Sequence, residues 1–101
     1  MRLAQLASEI ALATPGVVEL DAGPAGAVAT IGAGIRVPGV TCAAAPGGEY
    51  DVSLRLVCRL VDLPALAARV RAAILAGAAS AGLHAATVAI EVVNVVEDAT
   101  R

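Results

Sequence analysis

Chemistry needs nucleophiles, proton carriers or ligand sets at spacings that can bring them together, and this 101-residue chain offers few. Its one histidine, His84, stands between Leu83 and Ala85-Ala86, with no acid close in sequence. General acid–base work needs a positioned partner and a zinc site needs several ligands. The spacing therefore points to a loop histidine between a helix and a strand. Cys58 falls on a leucine-rich strand face, where burial makes a thiol inert, and Cys42 lies among alanines with no nearby base. The acids Glu49, Asp51, Asp62, Glu97 and Asp98 form no spaced pair on one element. No catalytic residue, metal ligand set or cofactor is assigned from these residues.

Two glycine motifs invite a phosphate reading. In "IGAGIRV" (31–37) the third glycine of a dinucleotide-binding turn would fall at Val37, and a strand follows where the phosphate geometry needs a helix N-terminus. A P-loop is excluded because the chain has no lysine. "GPAG" (23–26) has the G-x-x-G spacing of RNA-binding KH loops, but Pro24 and Ala25 stand in the middle and the nearest charge is Asp21. Both read as turns. The net charge of −2 and pI near 5.2 argue against a nucleic-acid partner.

The elements that position these residues follow from periodicity. Leu3, Leu6, Ala7 and Ile10 repeat at helical spacing opposite Gln5, Ser8 and Glu9, and Pro15-Gly16 stops that helix. "VVEL" (17–20) reads as a short strand, and the small, glycine-rich 22–34 as a loop. A strand over 35–45 is interrupted by Pro38-Gly39, which belongs at an edge or a bulge. "PGGE" (46–49) turns the chain into "YDVSLRLVCRLV" (50–61), whose even positions, Tyr50 to Leu60, are all apolar. Asp62 caps a second helix with Pro64 in its first turn, and Leu63, Leu66, Ala67, Val70, Ala73 and Ile74 form its stripe. Gly82 ends it, and "ATVAIEVVNVV" (86–96) closes the chain as a strand. A strand–helix–strand unit implies parallel pairing of its two strands. The expected fold is a single α+β domain over 1–101, in two layers. A mixed three- to four-stranded sheet carries two helices on one face, in the order α-β-β-β-α-β.

Hydrophobic content of 58% and a mean hydropathy of +0.82 come mostly from alanine and valine. Arg2 and the A-x-A of "MRLAQLASEIALA" imitate a signal peptide, but Gln5, Ser8 and Glu9 interrupt the apolar stretch it needs. The charge-free run between Arg71 and Glu91 is broken by Gly77 and Gly82, too weak for a membrane span. A turn centred between Gly47 and Gly48 would face position 42 to 53, leaving Cys42 and Cys58 roughly 16 Å apart, too far to bridge. Reduced thiols fit a cytoplasmic protein.

What remains is surface. The odd face of 50–61 carries Arg55, Val57, Arg59 and Val61, and simple alternation puts Val93 and Val95 on the same side of the last strand. Two helices cannot cover both faces of such a sheet, and exposed valine patches mark contacts. The expectation is a protein–protein surface of Val57, Val61, Val93 and Val95 with Arg55 and Arg59 at its rim, testable by glutamate at 57 and 95.

The order of segments resembles the bacterial alkaline-shock-protein family, also described as Gls-type envelope stress response proteins. The likeness is carried by "LASEIALATPGVVEL", by "YDVSLRLVCRLV" followed by "DLPALAARVRAAIL", and by "GLHAATVAIEVVNV", which together span almost the whole chain. This sequence departs from the pattern at Ala65, where an acidic residue is common, in the glycine-rich 22–34, and in lacking lysine. The resemblance implies a non-enzymatic cytoplasmic protein linked to envelope or alkaline stress. It would act as a homo-oligomer, or be held near the membrane by a membrane-anchored partner without inserting itself. The alternative is a small-molecule-binding regulatory domain with its ligand between the glycine loop and the sheet.

Overall fold

A computed structural model describes residues 2–32 and 35–97; Ala33 and Gly34 of the glycine motif, and Asp98, lie outside the described residues. The chain runs α1 (Arg2–Ala13), β1 (Val17–Leu20), β2 (Ala29–Gly32), β3 (Ile35–Pro38), β4 (Val40–Ala44), β5 (Tyr50–Arg59), α2 (Leu63–Ser80) and β6 (Ala85–Val96). This is the expected α+β class. It measures 47 × 29 × 18 Å, the smallest extent suiting one helix layer on one sheet.

β5 is the axis of the sheet. It pairs parallel with β6 on one side, as the crossover through α2 implies. On its other side it pairs antiparallel with two short strands placed end to end, β4 along its first half and β1 along its second. The backbone of Arg55 joins them: its carbonyl accepts the Asp21 N–H and its own N–H donates to the Gly39 carbonyl, both at 2.9 Å. Gly39 is required here. Its φ is +76°, and a Cβ would come 2.8 Å from Leu20 Cβ and 2.9 Å from the Asp21 nitrogen.

The strand expected over 35–45 is thus two strands in two sheets, broken at Gly39. β3 instead pairs with β2, from Ala29↔Pro38 to Gly32↔Ile35. That hairpin is an element which its surroundings concealed: Thr30 and Ile31 favour a strand, but two such residues between alanine and glycine make too short a run to announce one. The turn into β5 is centred on Gly47 rather than between Gly47 and Gly48, so Cys42 faces Val52, one residue from the expected Ser53. Both thiols are free, and burial pushes each above its ordinary pKa.

Both helices pack on the even face of β5, where Val52, Leu54, Leu56 and Cys58 are buried with Leu66, Val70, Ile74 and Ala78 of α2. Asp62 caps α2 by accepting the Ala65 N–H at 3.2 Å. At the other end Gly82 N–H bonds Ala79 O and Leu83 N–H bonds Ala78 O, a Schellman closure with Gly82 at φ +74°. On α1 the buried residues are Leu3, Ala4, Ala7 and Ala11, while Leu6 and Ile10 are only partly covered. The helix is rotated toward its alanines, which let it approach closely. Gly77 serves the same end on α2: a Cβ there would come 2.5 Å from Ile10 Cδ1. By length and composition α2 would suffice to cross a membrane; here it lies along the sheet, with Arg69 and Arg71 exposed.

Candidate interaction surface on the open sheet face

The sheet face away from the helices is more polar than alternation suggests. At its centre Arg55 reaches in both directions, with its NH2 group 3.6 Å from Asp21 Oδ2 and NH1 3.4 Å from Glu91 Oε1. Asp21 is itself held by the Gly23 N–H on Oδ1, at 3.0 Å. Arg55 Nε is buried against the glycine loop without an acceptor among the described residues. Thr87 and Asp51 are hydrogen-bonded at 2.8 Å nearby. Beside Arg55 a groove of about 290 Å³ runs between Val28 of the glycine loop and Thr41, Ser53, Ala89 and Glu91 of the sheet.

The expected valine patch does not assemble. Leu56 pairs with Val92 but Val57 pairs with Asn94, so Val93 is an extra residue bulged out of β6. Because side chains alternate, one inserted residue exchanges the faces of all that follow. Val95 comes into register with Cys58, on the helix side, and Asn94 takes the open face beside Val57. A second bulge lies across β5 at the same level: Val17 pairs with Cys58 and Glu19 with Val57, leaving Val18 between them. Val57 itself is only 7% exposed. Glutamate at 57 or 95 would therefore disturb packing and is not a clean probe of association. Arg59 is exposed at the end of β5, in register with Val96, and its N–H bonds Gly16 O at 2.8 Å.

Among the described residues Ile31, Leu12 and Leu75 are exposed singly on other elements, and three more large apolar side chains are exposed at the end of the sheet. Leu60 is 67% accessible, Val61 42% and Val18 39%. Leu60 continues the apolar even face in sequence, but β5 stops at Arg59 and the turn into Asp62 carries Leu60 outward. The signal was the strand–cap junction: an N-cap at 62 requires the ladder to end before it. Of the expected residues, Arg59 and Val61 belong to this apolar end, Arg55 to the central ion-pair cluster, and Val57 and Val95 to neither. His84 is exposed at the opposite end of β6, its carbonyl accepting the Tyr50 N–H at 3.1 Å.

Among the described residues no three His, Cys, Asp or Glu side chains gather into a metal-binding set. No family model, curated protein or solved structure matches the chain. The surface is therefore read from its own geometry.

Proposed function

We propose that this chain is a non-enzymatic protein of the envelope- or alkaline-stress type, cytoplasmic, working by self-association or by docking to a membrane-anchored partner. The observation that supports this reading is the apolar end of the sheet, where Leu60, Val61 and Val18 stay accessible beside Arg59. Large accessible side chains gathered at one end of a small domain are the composition of a contact surface. Native mass spectrometry checks it. The wild-type chain is expected in multiples of 9.9 kDa, or as a complex with a membrane protein from its own host. The double change Leu60→Glu, Val61→Glu should weaken that association, with the thermal midpoint nearly unchanged because both side chains face solvent. Association unaffected by the double change would defeat this placement.

A second reading has its own support in the groove beside Arg55, which lies between the glycine loop and the sheet. A small molecule retained through purification, and lost on Arg55→Leu, would favour a ligand-binding regulatory domain instead.

A further inference from the structure

The outer side of β6 is an unprotected sheet edge. Among the described residues β6 pairs with β5 alone, so alternate residues direct backbone N–H and C=O groups outward without a ladder partner. Its twelve residues, "AATVAIEVVNVV", hold one charge, Glu91, and no proline, glycine or lysine. Soluble proteins ordinarily blunt such an edge with charge, proline, bulges or a covering loop. Here the bulges fall at the two ends, at Ala86 and at Val93, the latter followed by Asn94, whose Oδ1 accepts the Val95 N–H at 2.9 Å. The bulge at Ala86 interrupts the start of the strand, where Tyr50 pairs with Ala85 but Asp51 with Thr87. The regular edge is therefore 87–92, rich in strand-forming side chains, with Ile90 and Val92 only partly covered.

We infer that residues 87–91 pair antiparallel with the same segment of a second copy, about a two-fold axis at Ala89. This rests on the self-association reading above and adds to its apolar end a second contact, along the edge of β6. The sequence is self-complementary about that residue. Val88 falls opposite Ile90 of the second copy, both on the helix side, so the two cores join. Thr87 falls opposite Glu91 of the second copy on the open face, and no like charges meet. A two-fold at Glu91 would oppose two carboxylates, and one nearer Asn94 would run into the bulge. The axis at Ala89 stands perpendicular to the sheet, so both helix layers lie on one side and the surface is the same on both copies.

The test uses the whole chain. Ala89 is exposed with its side chain off the core, so Ala89→Lys should keep the wild-type circular dichroism and thermal midpoint while setting two ammonium groups face to face at the axis. Native mass spectrometry and light scattering over a concentration series should show a wild-type dimer, weakened at least about tenfold by Ala89→Lys. In a Cys42→Ser background, Ala89→Cys should cross-link to a covalent dimer under mild oxidation. A wild-type chain that assembles, with Ala89→Lys assembling equally well and Ala89→Cys failing to cross-link, overturns the edge pairing and leaves the self-association reading standing. A wild-type chain monomeric at every concentration overturns both the pairing and the self-association arm of that reading.

Discussion

The two long edges of the sheet are built on opposite principles. On one side of β5, two four- to five-residue strands are laid end to end and tied at Arg55. That edge is broken by Gly39, bulged at Val18, and flanked by the β2–β3 hairpin, whose Thr30 hydroxyl donates to the Val40 carbonyl at 2.6 Å. Arg36 ties β3 back to the glycine loop through the Gly26 carbonyl, also at 2.6 Å. On the other side runs β6, long, regular between its bulges at Ala86 and Val93, and open. An edge covered by its own chain needs no partner. An edge with regular, unpaired backbone between its bulges leaves ladder groups for a partner strand, and that difference is what the proposed pairing uses.

The largest effect should come from breaking the tied edge. Gly39→Ala places a side chain at positive φ against Leu20 and the Asp21 backbone. A loss of about 2–4 kcal/mol in urea unfolding is expected, from left-handed strain plus overpacking. An alanine tolerated there would mean that β1 and β4 are not locked together. Arg55 sharpens the comparison, because its ion pairs reach from Asp21 beyond β1 to Glu91 on β6. The pairs are long and partly solvated, so Arg55→Leu should cost roughly 1 kcal/mol or less, and the difference should shrink in high salt. A much larger cost would show that the open face is held electrostatically.

The smallest effect concerns the two thiols, Cys42 of β4 and Cys58 at the centre. Burial raises both above the ordinary value of 9.0. The sign follows from linkage: the stability this contributes is fully present below the unfolded value and is lost as pH rises through the raised folded values. Thermal midpoints should therefore fall more steeply above about pH 9 in the wild type than in Cys42→Ala, Cys58→Ala, measured against each chain's own midpoint at pH 7. Equal slopes would place both thiols in effective contact with water.

Much of this fold was legible beforehand because it depends on local rules. The even face of 50–58, the cap at Asp62, the stop at Gly82 and the parallel return through β6 each follow from periodicity or from one residue's backbone chemistry. The candidate surface was less so. Leu60 looked like core because alternation says nothing of where a strand ends. Val93 and Val95 looked exposed because a bulge leaves no mark in "EVVNVV". The hairpin of β2 and β3 was missed since Thr30 and Ile31 are only two strand-forming residues between alanine and glycine, too short a run to read.

By itself, then, the amino-acid sequence determined the class of fold, the helix caps, the apolar stripe of α2 and the residue chemistry that leaves the surface as the place to look. Only the tertiary structure decided which valines face which side, where β5 ends, and which sheet edge is left open. Local propensities act within a few residues, whereas register, bulges and edge cover depend on what a neighbouring strand offers across the ladder. One inserted residue there exchanges the faces of every side chain beyond it.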